Sequence, residues 1–328
     1  MVASGTIPRK IGMMPSLRPT GLSIRWTVLN VTIWAALVGT AQQSIFAQGA
    51  PAAASTISAE QVSKANNPLS GLNALNIQDS YQPSLYSIPN ATANTMFLRS
   101  TIVYGRQIVR ATVPIATLLS GYEIFDLLPP PSSNSIGLHS SVQGTDPSAS
   151  APIVSITYGS GLGDFNIFDL IRISSDTATT QLAAGPQLVA PTATDKALGS
   201  GKWQAGLATA AVHPLSSGSL LGALFTWQHS FAGQQARADT NVFTFQPNAT
   251  FSLGGGYYVR SSGTWSFDAV ADRYLIPLGV GVGKVFRAGN AVANAFIEPQ
   301  FSVYHQGIGM PSLQIFAGIN LQWSKGGK

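Results

Sequence analysis

Long segments in which apolar and polar residues alternate are the feature that most limits how this chain can fold. In residues 241–253, NVFTFQPNATFSL, one face takes Phe243, Phe245 and Phe251, and the opposite face takes polar residues such as Gln246. A period of two predicts a β-strand with one apolar and one polar side. Similar segments follow one another along the second half of the chain, at 181–190, 203–213, 219–230, 257–268, 275–286, 291–304 and 312–323. The sequence therefore predicts an all-β fold.

The length of these segments separates two all-β folds. A soluble β-sandwich buries its apolar faces inside, whereas a membrane barrel turns them toward lipid. Sandwich strands usually run about five or six residues, but about eleven residues at ~3.3 Å each, tilted by roughly 45°, span a membrane. The predicted strands have this greater length, and aromatic residues such as Trp203, Trp227 and Trp323 lie near their ends, as interfacial girdles do. We therefore predict a transmembrane antiparallel up-and-down β-barrel.

Composition and the first 49 residues agree with export to a membrane. Only 9% of the residues are charged, far below the quarter or so typical of soluble domains. Basic residues precede an apolar run at 26–38, and small residues follow near Ala47 and Gly49, which predicts a cleaved signal peptide at 1–49. With the barrel, this signal predicts the outer membrane of a Gram-negative bacterium. The leader holds four of the 18 Lys and Arg residues and none of the 13 Asp and Glu residues, so the rest of the chain is nearly neutral and no nucleic-acid partner is expected.

The strand count follows from parity. Counting back from a last strand that ends at Trp323, further strands at 164–173, 107–117 and 95–104 give an odd total, and single-chain bacterial barrels have an even number. A first strand at about 70–82 restores parity, so we predict about 12 strands, with ten as the fallback. The predicted organisation is a signal peptide at 1–49, a periplasmic tail or lumen plug at 50–68, the barrel at 69–323 with a long external loop at 118–152, and a C-terminal extension at 324–328.

Two glycine-rich runs resemble phosphate-binding loops but lack their surroundings. Gly199-Ser200-Gly201-Lys202 lies between two predicted strands, with no helix after it to offer backbone N–H groups to a phosphate. The run at 278–286, LGVGVGKVF, lacks the four-residue spacer and has Val285 in the magnesium-coordinating position. We interpret the first as a turn and the second as a strand whose small residues face the lumen, and we expect no nucleotide or other cofactor.

Several blocks of sequence also resemble a known family. They are ANNPLSGLNAL at 65–75, SGLGDFNIFDL at 160–170, GPQLVAPTATDKALGSGKWQAG at 185–206, WQHSFAG at 227–233, RADTNVFTFQP at 237–247 and IPLGVGVGKVFRAG at 276–289. Together they resemble the bacterial outer-membrane transporters of the phenol-degradation meta-pathway type, which are often labelled neuromedin U-like. The resemblance covers most of 60–323, and much of 121–150 departs from it. It implies an outer-membrane β-barrel that passes small, hydrophobic or aromatic, solutes and has no defined catalytic residues.

Polar-face residues of the predicted strands are the candidates for a solute path. They are Arg99, Arg110, Arg172, Gln246, Arg260, Asp268 and Glu298. In an open barrel they would line the lumen and set its ion preference, as charged rings do in pores. In a narrow lumen the same residues would pair with one another and fill the space. Twelve strands lie between the filled and the open sizes of barrel, so both interpretations stand.

Two other function classes compete with a channel. A sealed structural or adhesion barrel would act through its external loops, above all 118–152. A barrel-embedded lipid hydrolase would use His229 or His305 near the external rim, but neighbouring residues of one strand point to opposite faces, and no acid with suitable spacing accompanies them. We expect no enzyme activity and no metal site, since the four histidines are far apart in sequence and cysteine is absent. The expected partners are outer-membrane lipid, a small solute and the barrel-assembly machinery, which would engage the strand ending near Trp323.

Overall fold

The computed structural model describes residues 57–125, 153–175 and 177–324. The predicted signal peptide, most of the predicted loop at 118–152 and nearly all of the C-terminal extension lie outside these residues. One α-helix and fifteen strand segments make up the described fold, with a 3-10 turn at Ser216–Gly218. They are α1 (Ala59–Asn66), β1 (Asn73–Leu85), β2 (Ala93–Tyr104), β3 (Gln107–Phe125), β4 (Ile153–Leu162), β5 (Phe165–Arg172), β6 (Gln181–Ala190), β7 (Lys202–Pro214), β8 (Leu220–Gly233), β9 (Asn241–Gly254), β10 (Tyr257–Ser261), β11 (Trp265–Asp268), β12 (Arg273–Gly279), β13 (Gly281–Ala288), β14 (Ala291–Gln306) and β15 (Pro311–Trp323).

These segments form a closed barrel of twelve antiparallel strands. Three of the twelve are each split in two, because β4 and β5 both pair with β3, β10 and β11 both pair with β9, and β12 and β13 both pair with β14. The last strand pairs with the first along its length, from Asn73 opposite Trp323 to Leu85 opposite Pro311. Closure removes every free sheet edge from the membrane-spanning wall. The predicted count of twelve is confirmed, and the first strand begins at Asn73 instead of residue 70.

The alternation seen in the sequence becomes the two sides of the wall. Outward positions carry apolar side chains that are open to the surroundings, such as Leu253 at 65% exposure and Val280 at 67%. Some inward positions carry polar side chains such as Asn294 and Gln300, which are 1% and 2% exposed. Other inward positions are apolar and pack in a buried cluster around Leu69. A soluble protein would not place so many apolar side chains on its outer surface. The outer side of the wall is therefore suited to lipid, and the inner side is partly polar and partly an apolar core.

The two ends of the barrel differ. At one end, which we call the short-turn end, tight turns join β2 to β3, β9 to β10 and β13 to β14. The β9–β10 turn places Gly254, Gly255 and Gly256 in succession at positive φ, a conformation that only glycine adopts without strain. The opposite end, the long-loop end, carries the longer connections, including 191–201 and 234–240. Short turns at one end and longer loops at the other are typical of bacterial outer-membrane barrels.

One hairpin extends beyond the wall. The strand predicted at 107–117 continues to Phe125, and β4 starts at Ile153, ahead of the strand predicted at 164–173. The strand pairing of β3 with β4 therefore occupies residues that the sequence had placed in the external loop 118–152. The backbone can continue there because β3 and β4 supply each other's hydrogen bonds without a third strand.

Candidate functional site

The segment before β1 and side chains of the inner wall line a cavity of about 140 Å³ inside the barrel. Residues 65–68 and Ser70 contribute from that segment, and the other lining residues come mostly from strands all around the barrel. Three arginines line it, together with amide side chains such as Asn76, Gln246 and Asn320, and about half of the lining residues are apolar. The space is large enough for several water molecules. The cavity wall therefore offers positive charge, hydrogen-bonding groups and apolar surface.

On one side of the lumen, a buried ion pair is held by two further polar residues. Arg260 Nε donates to Glu298 Oε2 at 2.8 Å, and the guanidinium lies 3.8 Å from the Phe296 ring centroid. The Ser262 hydroxyl donates to Glu298 Oε2 at 2.7 Å, its backbone N–H donates to Oε1 at 2.7 Å, and Gln300 Nε2 donates to Oε1 at 2.9 Å. We call Arg260, Ser262, Glu298 and Gln300 the ion-pair cluster. Both oxygens of the fully buried Glu298 carboxylate accept hydrogen bonds, and its negative charge compensates that of Arg260. The cluster therefore has no net charge and no unsatisfied carboxylate oxygen.

The backbone of Ser262 can bond to side chains of the lumen because the strand is interrupted between β10 and β11. β10 pairs with β13 as far as Arg260, and β11 pairs with β12 from Ser266 onward. Ser262 lies between the two pieces, and its N–H group and carbonyl bond to Glu298 and to Gln246 Nε2, at 2.7 and 3.1 Å. Side chains thus replace the strand partners that the backbone loses at the break.

Glycines on the neighbouring strand leave room for the cluster. A Cβ on Gly281 would lie 2.6 Å from Glu298 Cβ, and one on Gly283 would lie 2.2 Å from Tyr258 Cζ. The run containing these glycines is strand, as the sequence analysis predicted, and their absent side chains make space for Glu298 and Tyr258 in the lumen.

On the opposite part of the wall, two arginines have no carboxylate partner among the described residues. Arg99 on β2 hydrogen-bonds Gln78 Oε1 and lies 4.5 Å from the Phe97 ring centroid. Arg110 on β3 donates to Thr101 Oγ1 at 3.4 Å and lies 5.3 Å from the Phe168 ring centroid. We call Arg99 and Arg110 the two-arginine site. Its partners are all neutral, so both positive charges remain facing the lumen.

The structure divides the seven predicted path residues into two groups. Arg99, Arg110, Gln246 and Arg260 line the cavity, and Glu298 contacts it through Arg260. Arg172 and Asp268 do not line it. Arg172 Nη2 donates to Gly105 O at 3.1 Å, at the short-turn end, and Asp268 Oδ1 accepts from the Val270 and Ala271 N–H groups at the long-loop end. Alternation gives the face of a strand but not the depth along it, so both residues have the predicted face and lie at the barrel's ends.

The segment before β1 packs against the inner wall at the short-turn end of the barrel, where the sequence left a tail and a plug as alternatives. Ser58 caps α1, since its hydroxyl accepts from Gln61 N at 3.2 Å and Gln61 Oε1 accepts from Ser58 N at 2.9 Å. Val62, Ala65 and Leu69 are buried. We call residues 57–69 the plug. Its apolar side packs on the inner wall, next to Tyr258 and Val285.

Hydrogen bonds from the wall fasten the plug. Asn294 Nδ2 and Gln322 Nε2 both donate to the Ala65 carbonyl, at 3.2 and 2.9 Å, while Asn67 Nδ2 donates to Gln181 Oε1 at 3.0 Å. Tyr258 in turn donates its hydroxyl to Asn294 Oδ1 at 2.5 Å. The sequence analysis missed Asn294 and Tyr258 as functional residues. Their inward position was visible from alternation, but their role depends on where the plug lies.

Two histidines of the described chain contact neutral side chains. His305 stacks on Tyr86 with ring centroids 3.5 Å apart, and His213 Nδ1 is 2.9 Å from the Thr180 hydroxyl. The Ser230 hydroxyl beside His229 donates to Asp239 at 3.2 Å. No group of three metal-ligating residues occurs in the part of the chain that the structure describes. Within that same part, no helix is long and apolar enough to cross a membrane.

One ion pair stabilises the long-loop end. Lys202 Nζ lies 3.0 Å from Asp239 Oδ1, and the hydrogen bond and positive charge of Lys202 hold the pKa of Asp239 below its ordinary value. Asp239 is mostly exposed, so water screens this pair far more than the ion-pair cluster.

Comparisons with known proteins extend these observations. No family model matches the chain, and no curated protein matches its sequence. The crystal structure of an outer membrane channel from Pseudomonas putida F1 matches with a TM-score of 0.50 and 13% identity, over 77% of this chain and 94% of that one. The NanC porin matches with a TM-score of 0.46 and 9% identity, over 76% and 100%, and an anion-selective porin from Comamonas acidovorans with 0.35 and 10%, over 77% and 98%. At such low identity the first of these matches shows the fold alone: this chain folds as a closed β-barrel similar to that channel.

Proposed function

We propose that the protein is a channel of the bacterial outer membrane that passes small solutes. The observation that carries the proposal is the cavity inside a closed barrel, lined by arginine and amide side chains behind an apolar outer surface. A barrel used only for structural support has no need of charged groups without counter-charges in its lumen, because such groups cost free energy. The leader at 1–49 would direct export, and the strand ending at Trp323 would engage the assembly machinery.

The finer identity of the channel is part of the same proposal. The sequence blocks described above support membership of the phenol-degradation meta-pathway type of transporter, and this resemblance implies hydrophobic or aromatic solutes. Apolar side chains in the cavity wall, including Phe168, Leu224 and Phe316, supply surface for such a solute. In this proposal the protein performs no chemistry and needs no cofactor, since its task is to provide a path.

The plug determines when that path is open. Its hydrogen bonds to Asn294, Gln322 and Gln181 hold it against the inner wall at the short-turn end. A sealed structural barrel is the alternative function, and the plug is the observation that favours it. The three polar attachments are individually modest, at about 1 kcal/mol each, so displacement of residues 57–69 is the opening movement that we propose.

Single-channel conductance in planar bilayers tests the proposal. We expect discrete openings from the purified protein, and more frequent openings from a variant that lacks the plug, residues 57–69. Heat-modifiable migration on gels must first show that both proteins are folded barrels. If the folded full-length protein and the folded deletion variant are both silent, the channel proposal is wrong and the sealed barrel replaces it.

A further inference from the structure

We infer that the two-arginine site binds the carboxylate group of a small organic anion and makes the lumen selective for such solutes. The inference deepens the proposed channel function and rests on it for its biological use, although binding itself can be measured without transport. It is carried by the charges in the lumen, by the hydrogen-bonding capacity that Arg99 and Arg110 retain, and by the side chains around them.

The charges of the lumen do not balance. Over the residues that the structure describes, the cavity wall contains three arginines and no carboxylate. Glu298 neutralises Arg260 at 2.8 Å and is itself fully buried. Asp79 and Asp169 occupy outward positions of their strands, opposite Met96 and Val109. Two positive charges, those of Arg99 and Arg110, therefore face the cavity without a protein counter-charge.

These two charges are neighbours. Arg99 lies opposite Thr112 on the adjacent strand, and Arg110 lies opposite Thr101, so the two arginines are a diagonal pair on the same face of β2 and β3. Diagonal pairs place their Cβ atoms about 7–8 Å apart, and long side chains bridge that distance. An anion bound between them would relieve the repulsion of two like charges.

Most of the hydrogen-bonding capacity of both guanidinium groups is unused. A guanidinium has five N–H donors, yet Arg99 hydrogen-bonds only Gln78 and Arg110 only Thr101 among the described residues. Phe97 and Phe168 each lie beside one guanidinium. Stacking on an aromatic ring occupies the face of a guanidinium and leaves the N–H groups at its edge available.

The surroundings favour an organic carboxylate over an inorganic ion. The edge of a guanidinium matches the two oxygens of a carboxylate in a bidentate geometry. Leu224 and Phe316 line the same cavity and offer apolar contact to the rest of the molecule, which a chloride ion would not use. Asn76 and Asn320 add amide donors. The site thus combines recognition of charge with recognition of a small apolar group.

The experiment compares benzoate with its neutral isostere benzamide. Binding to the protein in detergent is measured by ligand-observed NMR, for the full-length chain and for the variants Arg99→Gln, Arg110→Gln and the double variant. Arg287→Gln removes the same charge from the exposed end of β13, outside the cavity lining, and is the matched control. We expect benzoate to bind at least about tenfold more tightly than benzamide, and the double variant to lose this preference while Arg287→Gln keeps it.

A second readout separates the binding site from the channel. In a salt gradient, the reversal potential should indicate anion preference in the full-length protein and move toward cation preference in the double variant, while Arg110→Lys retains the charge and most of the preference. Equal binding of benzoate and benzamide, or unchanged benzoate binding in the folded double variant, would overturn the site. If the protein binds benzoate but shows no conductance, the carboxylate site stands and the channel proposal is wrong. If the protein conducts but binds benzoate no better than benzamide, the channel proposal stands and the carboxylate site is wrong.

Discussion

The ion-pair cluster and the two-arginine site place the same side chain in the same lumen and give it opposite electrostatic roles. Arg260 is buried against a carboxylate with all of its oxygens satisfied, whereas Arg99 and Arg110 contact an amide, a hydroxyl and aromatic rings. Replacing one partner of a buried ion pair leaves an uncompensated charge, but replacing an arginine with neutral partners leaves none. The first arrangement therefore stabilises the wall, and the second leaves charge available to a ligand.

The largest effect is expected when the ion-pair cluster is broken. Glu298→Ala leaves Arg260 buried without a counter-charge and removes the acceptor of Ser262, so the free energy of unfolding should fall by about 3–5 kcal/mol. Denaturant unfolding in lipid or detergent measures it. Arg110→Gln is the matched control in the two-arginine site, and it should change the free energy of unfolding by about 1 kcal/mol or less. Equal losses in both variants would contradict the distinction between the two regions.

Overpacking the cluster should have a smaller effect. In Gly281→Ala the new Cβ would lie 2.3 Å from the Ile297 carbonyl oxygen and 2.6 Å from Glu298 Cβ, so the wall must shift, at a cost of about 1–3 kcal/mol. Gly222→Ala is the control, because this glycine also lines the cavity and its nearest neighbour would be 3.2 Å away. Thermal unfolding of the two variants should rank them in that order. A Gly222→Ala loss as large as that of Gly281→Ala would show that the cluster is not specially crowded.

The plug provides a third test, because Asn294 fastens it from the same side of the lumen as the ion-pair cluster. Asn294→Ala removes the donor to the Ala65 carbonyl and the acceptor of the Tyr258 hydroxyl, which should weaken the plug by about 1 kcal/mol. The chain has no cysteine, so Val62→Cys on α1, at a position that is 1% exposed against the inner wall, can serve as a single labelling site. Its reaction with a bulky thiol reagent should become several-fold faster when Asn294→Ala is added. A Ser312→Ala background, at the other end of the barrel, should leave the rate unchanged.

The exposed ion pair at the long-loop end should have the smallest effect of all. The pKa of Asp239 is lowered by Lys202, so this carboxylate contributes stability above the pKa that it has in the unfolded chain. That contribution is lost as pH falls through the lower pKa of the folded protein. The unfolding midpoints of Asp239→Asn and the unaltered protein should differ slightly at neutral pH and converge in strong acid. A difference that persists or grows in acid would contradict this linkage.

Sequence alone could predict the wall but not the partners within it. Alternation identified the inward face of Arg99, Arg110, Gln246, Arg260 and Glu298, and strand length with parity predicted twelve strands, because both depend only on the local period of two. The pairing of Arg260 with Glu298 depends on the register of β10, β13 and β14 and on the break at Ser262. No local pattern contains that information.

The position of the plug could not be predicted from the sequence, for a related reason. Residues 57–69 are short, partly polar and have a capped helix, features that are equally compatible with a free tail. Their place is decided by Asn294 and Gln322, which follow them by more than two hundred residues. The depth of Arg172 and Asp268 along the barrel could not be predicted either, because their strands continue to the ends of the barrel.

The pairing of β1 with β15 joins the first and last strands of the wall. Asn73 lies opposite Trp323, so the barrel cannot close until every strand between them is present. Contacts between such distant parts of a chain form slowly, and an unpaired strand edge invites association with other chains. A truncated chain that lacks β15 would therefore leave β1 with an unpaired edge, and we expect it to aggregate instead of closing into a barrel.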